Sequence, residues 1–264
     1  MTGDDDPSGG GAQEAPLLRL DGISRRFGRV VVAEGLSLSV PRGGALGVVG
    51  PNGAGKTTLF ALIGGQLRPQ GGTIRLDGRN LAGHSPAARA RLGIGRTYQV
   101  PRPFGRMTVF ENALVAGSHA AGLRGRAAER AALAALERTG LAAHANERAE
   151  RLGLLSRKRL ELARALAGAP RLLLLDEVAG GLTEPEVAEL VEIIRGLRAE
   201  GLTVLWIEHV VHALTRSVER LICLAQGRIL ADGAPHAVLA DPAVREVYFG
   251  TDVETGGGSG GENP

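Results

Sequence analysis

The sequence predicts an α/β domain interrupted by a helical lobe, and three stretches carry that prediction. ALGVVG (45–50) is a short apolar run that ends in a glycine turn. LLLLDE (172–177) is all-apolar until its last two residues, as expected for a strand buried on both faces of a parallel sheet, and the LTVLWIEH run ending at His209 reads as another buried strand. Between Thr108 and about Gly168 the pattern changes to Ala/Leu/Arg segments such as RAAERAALAALERTG, whose residues favour helix.

Taken in order, residues 1–15 are rich in Gly, Asp and Pro and are expected to be disordered, as is the tail TDVETGGGSGGENP over 251–264. The folded domain is expected over 16–250, with the helical subdomain inserted at about 100–168. LLRLDGISRRF and GLSLSV read as short strands with turns. ALGVVG leads through its glycine turn into a helix that covers Thr57 to Ile63. GGTIRLDG reads as a turn, a strand and a turn. Thr183-Glu184-Pro185-Glu186 has the form of a helix start, with Thr183 as cap, Glu186 closing a capping box and Pro185 in the first turn. That helix runs to about Glu200, where Gly201 ends it. With the strands on either side it makes a right-handed parallel crossover.

Composition narrows the function classes. The chain has 264 residues, 44% of them hydrophobic, enough for a main domain with a lobe and a sizeable core. Aromatic residues are only 3% and the net charge is +3. Base stacking would have few platforms, so no nucleic-acid partner is expected. The one cysteine, Cys223, excludes an internal disulfide framework and, within ERLICLA, reads as core. The acidic N-terminal stretch does not have the form of a signal peptide. No apolar run approaches the roughly 20 residues that span a bilayer, so any membrane contact is expected through a partner. Lys56 and Lys158 are the only lysines among 31 basic residues, which makes each worth asking about individually.

GPNGAGKTT fits the pattern G-x-x-x-x-G-K-[ST] at Gly50, Gly55, Lys56 and Thr57, between a strand and a helix. The chemistry asks for these residue types. Backbone N–H groups of Gly50, Asn52, Gly53, Ala54 and Gly55 can curl around phosphate oxygens, with Pro51, which has no N–H, shaping the loop between them, and the helix N-terminus through Thr58 adds positive potential. Lys56 supplies a point charge to the β/γ-phosphates, and the Thr57 hydroxyl is a candidate Mg²⁺ ligand.

Asp176 and Glu177 close the LLLLDE strand. Ligands of open parallel sheets bind beyond the carboxyl ends of the strands, so the acids are expected to meet Lys56. Asp176 is read as a Mg²⁺ holder and Glu177 as general base for the attacking water. His209, beyond the next strand, can reach a γ-phosphate. Gln99, in RTYQVPRPF, can offer its amide to Mg²⁺ or water. Phe27 can stack on adenine or serve only as core packing. His84, His119, His144, His212 and His236 lack metal-ligand spacing and read as surface residues.

Phe27, GPNGAGKTT, Gln99, LLLLDE and His209 fall in the order found in ATP-binding-cassette (ABC) ATPases, which the chain resembles over roughly residues 17–249. The resemblance implies a P-loop NTPase nucleotide-binding domain of ABC type, with a RecA-like mixed sheet core, an antiparallel β-subdomain and an inserted α-helical subdomain. It implies ATP and Mg²⁺ as cofactors. Lys56 would sit on the phosphates, Thr57, Gln99 and Asp176 around Mg²⁺, Glu177 as base, and His209 against the γ-phosphate. It also implies a dimer in which each ATP lies between one chain's phosphate loop and the other's signature loop. RTYQVPRPFGRMTVFENALVAG, DEVAGGLTEPEV and the C-terminal QGRILADGAPHAVLADPAVREVYFG resemble ATPase subunits of branched-chain amino acid importers and related urea importers. Integral membrane permease subunits on the cytoplasmic face of the membrane, and indirectly a periplasmic or extracellular solute-binding protein, would then be partners.

One stretch departs from the family. The usual signature is Leu-Ser-Gly-Gly-Gln, followed by a basic cluster and an Ala-Arg-Ala-Leu helix. RKRLELARAL anchors the register, leaving Leu152, Gly153, Leu154, Leu155 and Ser156 as the signature. Gly153 has no hydroxyl where serine is usual. Leu155 adds bulk where a backbone must approach phosphate. Because that loop faces the partner's ATP, a heterodimer with a second ABC ATPase subunit and unequal sites is expected. Three alternatives stay open: lipid or lipopolysaccharide export, a soluble cassette ATPase working on nucleic acid or ribosomes, and a regulatory subunit that hydrolyses little.

Overall fold

A computed structural model describes residues 15–249. Apart from Ala15, the tails expected to be disordered lie outside the described residues. Two sheets and a helical lobe make up the domain. The larger sheet has six strands in the spatial order β10 (Arg228–Gly233), β9 (Arg220–Ala225), β3 (Ala45–Val49), β8 (Thr203–Ile207), β7 (Leu172–Asp176) and β6 (Ile94–Arg96). All pairings are parallel except that of β10 with β9. The smaller sheet is antiparallel, in the order β2 (Val30–Val40), β1 (Leu18–Phe27), β4 (Gly71–Leu76) and β5 (Arg79–Asn80).

Helices α1 (Lys56–Gly64) and α2 (Pro86–Arg91) lie on the phosphate-loop side of the chain order. The lobe is built from α3 (Val109–His119), α4 (Arg126–Arg138) and α5 (Leu154–Ala167), which pack on one another. The chain then continues through β7, α6 (Glu184–Ala199), β8 and α7 (Val211–Thr215), and after β10 ends in α8 (Pro235–Ala240) and α9 (Pro242–Phe249). No described helix is long and apolar enough to cross a membrane.

The all-apolar strands are buried on both faces, for a simple geometric reason. Successive side chains on a strand point to opposite faces. Leu173 and Leu175 enter one core with Trp206, Cys223 and the helices of the lobe. Leu172 and Leu174 enter the other with Leu46, Val48, α1 and the antiparallel sheet. Truncating any of these leucines to alanine would cost about 2–5 kcal/mol. Cys223 is core, as read from its apolar strand.

Strands β1 and β2 are longer than the short strands the sequence suggests, at 10 and 11 residues. Their pairing shifts register between Leu20 and Ile23 and again before Arg25, and Gly22 and Gly35 take positive φ. Such irregularities break the two-residue alternation, so one long strand reads as fragments. The α6 start follows the expected chemistry: Glu186 accepts from both the Thr183 N–H and the Thr183 hydroxyl at 2.8 Å.

Candidate functional site

Parallel pairing brings the chemistry to one edge. β3, β6, β7 and β8 all run the same way. Their C-terminal ends therefore deliver the phosphate loop, the Gln99 loop, Asp176 with Glu177, and His209 to the same side of the sheet. Residues far apart in the chain meet because of topology, not local sequence.

The phosphate loop needs its glycines. Gly50 and Gly55 have φ of 147° and 104°. A Cβ on Gly50 would lie 2.1 Å from the Leu224 carbonyl oxygen, and one on Gly55 would lie 2.2 Å from that of Val32. No other residue fits either place without moving backbone. Lys56 is buried and folds back over the loop, its ammonium donating to the carbonyls of Gly50 at 2.6 Å and Pro51 at 3.0 Å. Burial lowers its pKa, and the charges of Glu177 and Asp176 oppose that shift. Asn52, Gly53 and Thr57 are exposed at the mouth, Pro51 and Thr58 half-buried, and Ala54 buried.

Glu177 stands just past β7 with φ of 49°, in the left-handed region that non-glycine residues rarely occupy. Its carboxylate is held from two sides. Gln99 Nε2 donates to Oε2 at 2.5 Å, and His209 Nε2 lies 2.9 Å from Oε1. The three residues singled out in three separate segments thus form one contact group. Asp176 is more deeply set and pairs with Arg96, whose Nη2 is 2.8 Å from Oδ2. Arg96 also lies over the rings of Phe60 and Tyr98, at 5.7 and 5.1 Å.

Phe27 is 44% exposed at the end of β1, with the Arg25 guanidinium 4.7 Å from its ring centroid. It is not buried in the core, which removes the core-packing reading of this residue. The signature region lies apart from these residues, at the start of α5. Gly153 is the N-cap of α5 and provides no side-chain hydrogen bond. Leu152 is buried, Leu154 exposed, and Leu155 and Ser156 half-buried. Helix α5 starts at Leu154, which agrees with the register set by RKRLELARAL. Of the remaining histidines, His84 and His144 are half-buried rather than fully at the surface. His84 turns back on the Ala82 carbonyl and His144 on Glu147. The described residues hold no metal-ligating cluster of His, Cys, Asp and Glu.

Three residues at the site were given no role there by the sequence reading. Arg96 is one. Glu208 is 1% exposed and accepts from the N–H groups of Ala179 (2.6 Å), His209 (3.1 Å) and Val210 (3.5 Å), and from the Trp206 indole (3.4 Å). Burial raises its pKa against the pull of those donors. Lys158 is 4% exposed and donates to the carbonyls of Glu177 at 3.3 Å and Gln99 at 3.4 Å. The signal for Lys158 was its rarity; Glu208 gave no signal beyond lying next to His209.

The donor set suits a triphosphate with a hard divalent cation. The ammonium of Lys56, at the N-terminus of α1, lies over a loop whose glycines Gly50 and Gly55 pack directly against the carbonyl oxygens of Leu224 and Val32. Thr57 hydroxyl, Asp176 carboxylate and Gln99 amide are oxygen donors, the kind Mg²⁺ prefers.

Residues 33–180 match the model of the ABC transporter family. The chain belongs to the ABC transporter family. This ABC chain also matches, over residues 228–254, the family described as branched-chain amino acid ATP-binding cassette transporter. It is 39% identical over 250 residues to the high-affinity branched-chain amino acid transport ATP-binding protein LivG of Salmonella typhimurium, covering 89% of this chain and 98% of the relative. It is 36% identical over 244 residues to the lipopolysaccharide export system ATP-binding protein LptB of Acidithiobacillus ferridurans, covering 89% and 97%. A crystal structure of the ADP conformation of MJ1267, an ATP-binding cassette of an ABC transporter, superposes with a TM-score of 0.82 at 29% identity, covering 89% of this chain and 99% of that one. The ABC chain is thus the ATP-binding subunit of a transporter and an ATPase, with the α/β cassette fold expected from its sequence.

Proposed function

We propose that this subunit drives import of branched-chain amino acids from the cytoplasmic face of the membrane, docked to integral membrane permease subunits. The C-terminal match over residues 228–254 is the single observation that carries the substrate class. Urea or amide import is the neighbouring alternative. Export is the second reading, favoured by the 36% identity to an export ATPase.

In this reading ATP lies with its phosphates on Lys56 and the α1 N-terminus and its adenine on Phe27. Mg²⁺, held by Thr57, Asp176 and Gln99, would neutralise charge on the phosphates. Glu177 orients and deprotonates the attacking water, and His209 beside it meets the γ-phosphate. The contact of Glu177 with both Gln99 and His209 supports this assignment. The Gln99 loop also borders a cleft of about 320 Å³ between the sheet and the lobe, lined by Arg89, Arg96, Tyr98, Glu161 and Arg164. That cleft is the proposed docking place for the permease.

The other half of each site comes from a companion. Gly153 gives α5 no hydroxyl, and Leu154 and Leu155 replace small residues there. The proposed assembly is therefore a heterodimer with a second ABC ATPase subunit, with a solute-binding protein on the far side of the membrane. Proteoliposomes containing the two ATPase subunits and their permeases test the reading. ATP-dependent uptake of radiolabelled leucine, isoleucine or valine, stimulated by the binding protein, is expected. ATP turnover without any such uptake would reject the substrate class and direction.

A further inference from the structure

The buried charges Glu208 and Lys158 take no part in the chemistry proposed above, yet both lie against its backbone. Their hydrogen bonds are complementary. Glu208, a pure acceptor when ionised, collects N–H groups from two segments: Ala179 in the loop after Glu177, and His209 and Val210 after β8. Lys158, a pure donor, collects carbonyls from two segments: Gln99 after β6, and Glu177 itself. The Glu177 carbonyl also accepts from the Gly180 N–H at 3.3 Å. Together the two side chains touch all three loops that carry Gln99, Glu177 and His209.

We infer that Glu208 and Lys158 are paired positioning residues, which lock the Gln99, Glu177 and His209 loops into one unit and tie that unit to helix α5. The inference rests on the proposed roles of those three residues. A physical need is visible at Glu177, whose φ of 49° is held only if its surroundings over-determine it. Its N–H bonds the Ile207 carbonyl at 2.9 Å, and its carbonyl meets Lys158. Both peptide groups flanking the strained residue are therefore fixed from outside its own loop.

The pair is also electrostatically consistent. Each charge is almost fully removed from water, where an uncompensated ion is costly. Burial lowers the Lys158 pKa, while Glu208 and Glu177 are the charges that oppose the shift. The four donors around Glu208 offset part of its own desolvation. Lys158 lies on α5, whose first turn is the signature stretch. A displacement of that helix thus reaches Glu177 through one side chain.

The test uses the assembled transporter complex with Lys158→Met, Lys158→Arg, Glu208→Gln and the Met/Gln double variant in this chain. Glu208→Gln keeps the shape but turns an N–H donor toward backbone donors. Expected is a kcat on the order of 100-fold lower for Lys158→Met and for Glu208→Gln. KM for ATP should stay within about twofold, because neither residue touches the phosphate loop. The double variant should lose little more than the worse single one, since the two act on one unit. Lys158→Arg, which keeps the cation, should recover most of the Lys158→Met loss. Unchanged ATP affinity, read by equilibrium binding, certifies a folded site. A kcat near wild type in both singles, losses that multiply in the double, or arginine no better than methionine would overturn the inference. Glu177→Gln is run beside them: if it retains turnover, the assignment of Glu177 fails instead, whatever the other variants do.

Discussion

Arg96 holds Asp176 in a 2.8 Å ion pair at which both side chains are nearly closed to water, 11% and 7% exposed. The guanidinium sits at the end of β6, three residues before Gln99, so the acid that is read as the Mg²⁺ holder has a counter-charge of its own. Breaking such a pair leaves a buried carboxylate alone, which costs about 3–5 kcal/mol when burial is complete. Arg96→Met is expected to cost about 2–3 kcal/mol in the absence of nucleotide, after allowing for the partial exposure. Saturating Mg²⁺ and ATP should return part of that loss by supplying positive charge next to Asp176. Thermal unfolding of wild type and variant, with and without the nucleotide, measures it. An equal gap under both conditions would show that the cation does not replace the arginine.

Phe27 offers an exposed ring whose other neighbour is Arg25. Stacking of a base on such a ring is worth about 1–3 kcal/mol. Phe27→Ala should weaken ATP binding roughly tenfold and leave kcat within about twofold, since adenine is remote from the reacting phosphate. Equilibrium binding combined with turnover kinetics decides it; a fall in kcat at unchanged affinity goes against the stacking role.

Gly153 caps α5 with φ of −66° and ψ of 173°, an extended conformation open to any residue. A Cβ there meets nothing within 4 Å. Gly153→Ser should therefore be accommodated without strain and stabilise the helix start by a few tenths of a kcal/mol. Adding Leu155→Gly would cost about 1 kcal/mol of helix propensity, and more for the packing of its half-buried side chain on the lobe core. The purified chain alone is expected to turn over ATP poorly, and the double variant to raise that rate at least about tenfold, or 1.4 kcal/mol of barrier. Robust hydrolysis by the unmodified chain alone would remove the case for a companion subunit.

Glu208 sets a pH dependence of stability. Its folded pKa is raised above the ordinary glutamate value of 4.5, chiefly by burial. In the window between 4.5 and the raised value the native state holds a proton that the unfolded state has released. Stability from this group is complete below the window and falls as pH rises through it. Chemical unfolding of wild type and Glu208→Gln at a series of pH values from the acid side upward should show wild type losing ground to the variant as pH increases. A difference independent of pH would mean that the carboxyl is not perturbed in the fold.

The parts of this molecule legible in its sequence are those where physics restricts residue type at fixed spacing. Gly50 and Gly55 must be glycine because backbone oxygens occupy the place of a Cβ. The four leucines of LLLLDE must all be apolar because alternate ones enter two cores. Thr183 and Glu186 act within one turn, so their pairing is local. Glu208, Lys158 and Arg96 are different. The contacts that tie them to other segments reach 29, 19 and 80 positions away, and no local spacing announces such contacts. Lys158 stood in a basic cluster that served to set register, and its burial appears only once α5 packs behind the Gln99 loop. Strands β1 and β2 were blurred for the opposite reason: local irregularities at Gly22 and Gly35 hide one long pairing.

The central claim is that ATP is hydrolysed at this chain's own Lys56–Glu177 site beneath a companion's signature. Steady-state ATP turnover of the assembled complex with Glu177→Gln in this chain alone tests it most directly. In the proposed heterodimer the companion's site would be capped by Gly153 and Leu155 and is not expected to compensate. Turnover is therefore predicted to fall by about 10²- to 10⁴-fold, the usual worth of a general base, with ATP binding retained. Turnover within about twofold of wild type, inside ordinary context dependence of a single contact, would contradict the account and move hydrolysis to the companion.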